Sequence, residues 1–233
     1  MSKAIILLSG GLDSVVSLAS VVKELSVELA IIFDYGQKSF EKEFVASKKI
    51  ADFYGVKLEC IRLDFLKNIT NTALVSDANV QDVSIENLND SNVTVNSMKN
   101  VWVPNRNALF INIAASYADS FGYDFVVIGA NKEEASTFSD NSPQFIDAIN
   151  HTLEFSTNYD VKVLAPLIDF NKNEIVQKAL ELSVPLNYIN SCYDGGLKHC
   201  GKCESCNRLK RALLNLNCDK IIKDLFRTDS DND

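Results

Sequence analysis

Short apolar runs alternate with longer amphipathic stretches along most of the chain, and this alternation predicts its fold. A short apolar run bounded by polar residues or glycine is typical of a buried parallel strand. A stretch with apolar residues every three to four positions is typical of a helix. The runs predict strands at residues 4–8, 27–33, 57–63, 123–128 and 161–164. The stretches predict helices at residues 14–25, 40–54, 108–121, 143–155 and 173–182.

Strands that alternate with helices indicate a parallel sheet with helices packed on both faces. Each helix connects two parallel strands by a right-handed crossover. We therefore predict the α/β class, with a doubly wound, Rossmann-like sheet of five strands. The predicted strand order is 3-2-1-4-5, with the first strand at the centre. Ligands of such sheets bind beyond the carboxyl ends of the strands. Residues 9–14, residues 34–37 and the loop after Leu63 fall at that edge.

Two segments depart from the regular alternation. Residues 66–100 are rich in Asn, Ser, Asp and Val and contain neither glycine nor proline, so we predict a long connection that acts as a lid or a mobile insert. The helix at 108–121 is apolar on nearly every face, which predicts that it is well buried.

The C-terminal part has a different composition. Residues 191–206 contain little apolar surface, three glycines and four cysteines. Short helices are predicted at 208–216 and 219–226, followed by a polar, acidic and frayed end at 227–233. We therefore predict a nucleotide-binding α/β domain at residues 1–185 and a zinc-binding C-terminal segment at residues 186–233 packed on it.

The loop after the first strand has the sequence Ser9-Gly10-Gly11-Leu12-Asp13-Ser14. A strand, a glycine turn and a helix start direct backbone N–H groups at one spot at the positive end of the helix dipole, which suits a phosphate or pyrophosphate. Gly10 and Gly11 let the backbone approach the anion without a Cβ atom. Asp13 places a carboxylate where Mg²⁺ carried by a nucleotide could bind. A plain βα turn favours the same residue types, whereas neither the GxxxxGK[ST] nor the GxGxxG pattern fits this loop.

Charge and composition argue against nucleic-acid-binding, membrane-spanning and secreted proteins. The 233 residues carry a formal net charge of −8, and 46% of them are hydrophobic. An acidic globular chain is a poor match for a broad nucleic-acid surface. No apolar run reaches the roughly 20 residues that a membrane span needs, and no secretory signal is recognisable. We therefore expect a cytoplasmic protein with reduced thiols and with no nucleic-acid or membrane partner.

Four of the six cysteines lie at Cys192, Cys200, Cys203 and Cys206. Two overlapping CxxC steps and one longer excursion suit a tetrahedral Zn²⁺ site, and four thiolates leave no open position, so the site should be structural. An iron–sulfur cluster or two disulfides are the alternatives. His199 beside Cys200 could replace one ligand, but four sulfurs make it unnecessary.

Two cations lie near the predicted ligand-binding edge. Arg106 begins the helix that follows Pro104, where its guanidinium could hold a phosphate or a substrate carboxylate in bidentate fashion. A structural ion pair is the alternative for Arg106. Lys172 follows the fifth strand and could neutralise pyrophosphate, or be a solvated surface lysine.

These motifs together resemble one family. The SGGLDS loop is similar to the pyrophosphate loop of the N-type ATP pyrophosphatases, or PP-loop enzymes. The runs Phe33–Gln37, Val103–Asn107 and Pro166–Asp169 and the tail Ser-Cys-Tyr…His-Cys-Gly-x-Cys-x-x-Cys occur in the order found in 7-cyano-7-deazaguanine synthases. The resemblance covers about residues 4–212.

The resemblance implies an ATP-dependent carbon–nitrogen ligase of queuosine biosynthesis. Such an enzyme converts 7-carboxy-7-deazaguanine and ammonia to the 7-cyano compound through an adenylated carboxylate and an amide, with ATP, Mg²⁺ and a structural zinc, one per chain. It also implies a homodimer. The zinc ligands carry over onto the four clustered cysteines.

The resemblance also assigns the ATP-binding residues and the pocket candidates, whereas the catalytic candidates follow from their positions at the ligand-binding edge of the sheet. The expected ATP-binding residues are Leu8, Ser9, Gly10, Gly11, Leu12, Asp13, Ser14, Val15, Val16, Ser17 and Leu18. The expected catalytic residues are Asp13, Arg106 and Lys172. The candidates for the substrate pocket are Tyr35, Gln37, Asn131, Glu134, Ser136 and Asp140.

Part of the presumed base pocket departs from the family pattern. Glu134 stands where an aspartate is usual, and Thr137, Phe138 and Ser139 replace Gly-Tyr-Pro. Two alternatives therefore stay open. One is another PP-loop adenylating enzyme that stops at the amide or transfers sulfur to tRNA. The other is a zinc-ribbon binding module that keeps a vestigial nucleotide loop.

Overall fold

Five parallel strands form one sheet in the computed structural model, which describes residues 1–227. The strands are β1 (Lys3–Leu7), β2 (Ser26–Asp34), β3 (Lys57–Arg62), β4 (Phe125–Val127) and β5 (Lys162–Leu164). Their order is β3-β2-β1-β4-β5, and each neighbouring pair is parallel. The predicted fold class, order and central position of the first strand are confirmed.

Helices cover both faces of the sheet. They are α1 (Leu12–Val21), α2 (Phe40–Tyr54), α3 (Asp64–Ile69), α4 (Ser91–Val101), α5 (Arg106–Phe121), α6 (Lys132–Ala135), α7 (Pro143–Ser156), α8 (Lys172–Glu181), α9 (Glu204–Asn215) and α10 (Asp219–Leu225). One apolar cluster joins Ile6 of β1 to α1, α2, α8 and α9, and a second joins Ile5 to α5 and α7. Successive residues of β1 thus enter opposite cores, which is why this strand reads as a continuous apolar run.

The segment 66–100 is more regular than the sequence indicates. It contains α4 and a 3-10 helix at Ile85–Asn89, and its Leu88 is buried. The side chain of Asp90 caps α4 by accepting hydrogen bonds from two backbone N–H groups. The main chain of Val83 donates to the carbonyl of Lys202 at 2.9 Å. The segment is therefore hydrogen-bonded to the cysteine-bearing part of the chain.

Helix α5 is buried on one face only, so the prediction that it is well buried is wrong for its other face. Its fully buried residues are Ile111, Ala114, Ala115 and Ala118. Asn112 and Ser116 are exposed, and Phe121 is 54% exposed. Small polar residues recur every four positions along the exposed stripe, and the high apolar content of the helix obscures them in the sequence.

The C-terminal segment shares a core with the sheet. Leu209, Ala212 and Leu213 of α9 are buried in the same cluster as α1 and α8. The backbone N–H of Arg227 donates to the carbonyl of His199 at 3.0 Å, so the predicted frayed end does not include this residue. The rest of that prediction lies outside the described residues, and the division at residue 185 stays a prediction. No helix within residues 1–227 is long and apolar enough to cross a membrane.

Candidate active site

A cleft opens at the carboxyl edge of the sheet, where the sequence predicts ligand binding. The loop between β1 and α1, the residues after β2, the start of α5 and the segment 190–193 all contribute to its wall. It brings together ten residues of the predicted site: Leu8, Ser9, Gly11, Leu12, Asp13, Ser14, Tyr35, Gln37, Arg106 and Glu134.

The structure explains the glycine at position 10 in a different way from the sequence analysis. Its φ of +75° lies in the left-handed region, which favours glycine. A Cβ atom at Gly10 would lie 2.7 Å from the Cβ of Ala46 and 2.9 Å from the carbonyl oxygen of Glu43, both in α2. The glycine at this position therefore allows the loop to pack against α2, and it does not face the cleft.

Gly11 is the glycine that faces the cleft. It precedes α1 with an ordinary φ of −76°. A Cβ atom there would lie 3.5 Å from the Ser9 hydroxyl and 3.7 Å from that of Ser191, both of which line the cleft. The hydroxyls of Ser9 and Ser14 are 3.2 Å apart. A side chain at Gly11 would thus occupy the space beside three hydroxyl groups that can contact an anion.

The segment that precedes the cysteines is hydrogen-bonded to the loop. The backbone N–H of Leu12 donates to the Ser191 hydroxyl at 3.1 Å. The backbone N–H of Asn190 donates to the carbonyl of Gly10 at 2.8 Å. Two contacts across about 180 residues of sequence therefore fix the loop conformation.

Lys172 is a buried cation between two carboxylates. It is the first residue of α8, and its Nζ lies 2.5 Å from Oδ2 of Asp13 and 2.7 Å from Oε1 of Glu134. Burial lowers the pKa of Lys172, but the two carboxylates outweigh burial and raise it overall. Lys172 is therefore a permanent cation that positions Asp13, and not a solvated surface residue.

Of the two carboxylates, Asp13 is the one whose negative charge is less fully balanced by Lys172. Burial raises its pKa from 3.8 to about 6, because the attraction of Lys172 is offset in part by the negative charge of Glu134. Its Oδ1 atom is buried and has no hydrogen-bond partner among the described residues. A buried acceptor oxygen without a donor suits a bound cation.

Helix α6 connects the cysteine-bearing part of the chain to this carboxylate cluster. Glu133 accepts a hydrogen bond from the backbone N–H of Lys172 at 3.1 Å and pairs with Arg208 and Arg211 of α9. Arg208 also binds Glu204 at 2.6 Å. The position of Lys172 is therefore tied to α9 by buried charges.

Arg106 stands on the opposite wall of the cleft. Its Nη1 donates to the hydroxyl of Tyr35 at 3.2 Å. No carboxylate oxygen within the described part of the chain lies within 4.0 Å of its guanidinium, so the alternative of a structural ion pair is not observed. Most of its N–H donors thus remain for an anionic ligand.

The other pocket candidates are divided between the cleft and its surroundings. Gln37 is held by three hydrogen bonds, to Tyr35 N at 3.0 Å, Phe33 O at 2.9 Å and Glu43 at 3.0 Å. Asn131 is fully buried and caps α6 by accepting from Glu134 N at 3.0 Å.

Three of the pocket candidates, Asn131, Ser136 and Asp140, lie outside the wall of the cleft. Ser136 is exposed, and its hydroxyl donates to the carbonyl of Glu133. Asp140 is close enough to Arg106 for its carboxylate to interact electrostatically. Within the predicted ATP-binding stretch, four residues are buried in α1 behind the cleft: Val15, Val16, Ser17 and Leu18.

The residues of the cleft wall that the sequence analysis does not single out include Glu43, Asn190, Ser191 and Tyr193. The last three flank Cys192 in the Ser-Cys-Tyr motif. The sequence analysis uses this motif only to identify a metal ligand, and not to identify residues of the cleft. Glu43 lies one helical turn after the Gln37–Ser39 turn, and the sequence presents it as an ordinary acidic residue in the first turn of a helix.

The four clustered cysteines form one centre that could bind a metal ion. Their sulfur atoms all lie within 4.8 Å of one another, and each cysteine is a free thiol. The backbone N–H groups of Lys202 and Cys203 donate to the Sγ of Cys200 at 3.4 and 3.3 Å. Such donors stabilise a thiolate. The disulfide alternative is not observed.

His199 is buried and connects the cysteine centre to the loop. Its Nε2 accepts from the backbone N–H of Ser191 at 3.0 Å, so its Nδ1 carries the proton and donates to the carbonyl of Leu225. Both ring nitrogens are thus occupied. His199 is therefore not a fifth metal ligand but a support for the segment that holds the loop.

Comparisons with known proteins agree with this geometry. A family model described as "Queuosine biosynthesis protein QueC" matches residues 3–217. The chain is 52% identical to a 7-cyano-7-deazaguanine synthase from Carboxydothermus hydrogenoformans, over 91% of this chain and 98% of that protein. It is 49% identical to one from Methanosarcina mazei, over 92% and 94%. A 4-thiouridine synthetase–RNA complex with bound ATP has a similar fold, with a TM-score of 0.51 and 20% identity over 95% of this chain and 53% of that chain.

Proposed function

Because the chain belongs to the family of queuosine biosynthesis proteins QueC, we propose that it acts as a 7-cyano-7-deazaguanine synthase. It joins 7-carboxy-7-deazaguanine to ammonia with ATP and continues from the amide to the nitrile. The observation that carries this proposal is the match over residues 3–217, which includes every residue of the cleft. The sulfur-transfer and binding-module alternatives are not favoured, because the similar curated proteins are synthases.

ATP and Mg²⁺ fit the loop side of the cleft. The start of α1 offers backbone N–H groups to the phosphates, and Ser9, Ser14 and Ser191 offer hydroxyls beside it. The buried Oδ1 of Asp13 is a suitable ligand for Mg²⁺, which when bound would neutralise charge on the pyrophosphate. Lys172 would hold Asp13 in place.

The chemistry begins with the poor reactivity of a carboxylate, whose charge and resonance repel a nucleophile. Transfer of AMP to a carboxylate oxygen removes that charge and supplies a leaving group. Ammonia then displaces AMP to give the amide. A second adenylation then activates the amide oxygen. That oxygen leaves with AMP, the two amide protons pass to solvent, and the nitrile remains. The chain contributes orientation and charge stabilisation at each step.

Arg106 is the residue that we propose for the substrate carboxylate or the α-phosphate. It faces the loop across the cleft and is not neutralised by an ion pair. Tyr35 and Tyr193 lie on the same side and offer aromatic surface to a planar heterocycle.

The reaction is tested by mass spectrometry of the product after incubation with 7-carboxy-7-deazaguanine, ATP, Mg²⁺ and ¹⁵N-ammonium. We expect a ¹⁵N-labelled nitrile together with AMP and pyrophosphate. An amide that never dehydrates would contradict the last step. ADP as the only nucleotide product would contradict the adenylation itself.

We further propose that the cysteine centre holds one structural zinc. Four sulfurs that converge within 4.8 Å match the ligand type and number of a closed tetrahedral site. The metal would then connect α9 to the segment 190–193 and, through it, to the loop. A cytoplasmic location and a homodimer are proposed from the family resemblance and from the reduced thiols.

Metal analysis tests the zinc proposal. We expect about one zinc per chain in freshly purified protein, and Cys200→Ser should lower both the zinc content and the melting temperature, since metal binding is coupled to folding. Cys60→Ser is the matched control, because Cys60 is exposed in β3 and outside the centre. Iron in place of zinc, or full stability of Cys200→Ser without metal, would contradict the proposal.

A further inference from the structure

Glu43 is a partly buried carboxyl group in the wall of the cleft that the steps above leave unused. It lies in the first turn of α2, and its carbonyl oxygen packs against Gly10 of the loop. Its side chain therefore reaches the cleft from a rigid element directly beside the predicted phosphate site.

The partners of Glu43 are neutral. The Ser39 hydroxyl donates to Oε1 at 2.6 Å, and the Gln37 amide donates to Oε2 at 3.0 Å. No Lys, Arg or His nitrogen among residues 1–227 lies within 4.0 Å of this carboxylate. The nearby cation Arg106 donates instead to Tyr35. Burial raises the pKa of Glu43, although Gln37, Ser39 and Arg106 oppose the shift.

A partly buried carboxylate with no cation of its own favours a cationic ligand. Each of its oxygens can accept two hydrogen bonds, and each accepts one from the protein. Acceptor capacity thus remains on both oxygens. Glu43 differs in this respect from Asp13 and Glu134, because those two carboxylates share the ammonium group of Lys172.

We propose that Glu43 binds the ammonium ion that supplies the nitrogen and accepts its proton. This proposal rests on the proposed function. Ammonium has four donors and no acceptor, so the carboxylate and the Ser39 hydroxyl oxygen match its needs. The site lies in the same cleft as the loop, so ammonia released there is close to the activated carboxylate.

The first nitrogen transfer begins with a proton transfer. Ammonium gives one proton to the Glu43 carboxylate and becomes ammonia. The lone pair of ammonia forms the C–N bond, the C–O bond to AMP breaks, and its electron pair leaves with the phosphate. The additional proton on the new C–N group and the proton on Glu43 pass to solvent. No oxidant or reductant is needed.

The test compares two reactions of Glu43→Gln. Substrate-dependent exchange of pyrophosphate into ATP reports on adenylation, which precedes nitrogen transfer, and should stay within about twofold of the wild type. The KM for ammonium should rise about 10- to 100-fold, because a charge-assisted hydrogen bond is lost. Glu41→Gln, an exposed substitution on the same helix, should leave both values unchanged.

Hydroxylamine separates cation binding from attack on the activated carboxylate, because it is neutral at an assay pH at which ammonia is mainly protonated. Glu43→Gln should form the hydroxamate at a rate close to that of the wild type, whereas Glu43→Asp should recover part of the ammonium affinity. An unchanged KM for ammonium would overturn the proposal. So would a parallel loss of exchange and amide formation, which indicates a structural role. A wild-type protein with no exchange activity would overturn the proposed function, and this proposal with it.

Discussion

Lys172→Met is expected to abolish turnover and to destabilise the protein by about 3–5 kcal/mol at neutral pH. The substitution leaves the partly buried carboxylates of Asp13 and Glu134 without the buried cation that lies 2.5 and 2.7 Å from them. Methionine matches the length of the lysine stem, so a packing defect should contribute little. The free energy of unfolding in urea and the rate of pyrophosphate exchange measure the two effects.

The pH dependence identifies the cause of this loss. In the wild type, burial raises the pKa of Glu134 but Lys172 outweighs burial and lowers it overall, so the pairing stabilises above that pKa and is lost as pH falls through it. In Lys172→Met, burial is unopposed and the pKa of each carboxyl rises. The deficit should therefore be largest near pH 8 and should shrink towards pH 5, where the carboxyls take up protons.

Lys132→Met is the matched control for this prediction. Lys132 begins α6 two residues before Glu134 but is exposed. Its replacement should change the unfolding free energy by less than about 0.5 kcal/mol at either pH. If Lys172→Met were as stable as this control, the buried cluster would not hold Asp13 by charge.

The sheet could be predicted because its signals are local. Each strand is a short apolar run, and the helices between them are long enough to show their period. The loop at residues 9–14 and the cysteine spacing are local as well. The structure of the segment 66–100 is harder to predict from the sequence, because helix α4 is polar and is marked chiefly by its Asp90 cap. The preceding Val83 is held by a hydrogen bond to the distant Lys202, which no local pattern indicates.

The cleft depends on pairings that no local pattern contains. Lys172 meets Asp13 across 159 positions, and Ser191 meets Leu12 across 179. Glu43 is distinguished from the exposed Glu41 only by its burial against the loop. The loop sequence and the position after the fifth strand identify Asp13 and Lys172 as candidates. Which charges neutralise each other, and which carboxylate is left without a cation, follows from three-dimensional packing alone.

Asp13→Asn is expected to lower turnover by about a hundred- to a thousandfold while leaving the fold as stable as before or more so. The amide keeps an oxygen for Lys172 but loses the charge that would bind Mg²⁺. Burial raises the pKa of Asp13 from 3.8 to about 6, so the folded protein holds this proton more tightly than the unfolded chain. Ionisation of this group above about pH 6 therefore reduces stability, and asparagine removes that cost.

The raised pKa of Asp13 determines whether Asp13→Asn gains or loses stability at a given pH. At pH 8 the melting temperature of Asp13→Asn should equal or exceed that of the wild type. The difference should shrink as pH falls through about 6, where Asp13 takes up its proton in the folded state. Thermal unfolding at pH 8 and pH 5 gives the comparison, with the exposed Asp147→Asn as the control that should show no difference.

Nucleotide binding shows whether the lost charge acts through the metal. Calorimetric titration of the wild type with ATP should give tighter binding with Mg²⁺ than with EDTA, because Asp13 repels free phosphates and attracts the complex. Asp13→Asn should lose most of this dependence and bind ATP with similar affinity in both buffers. If the variant kept the full Mg²⁺ dependence and near wild-type turnover, the metal would bind elsewhere, and the unpartnered Oδ1 of Asp13 would need another explanation.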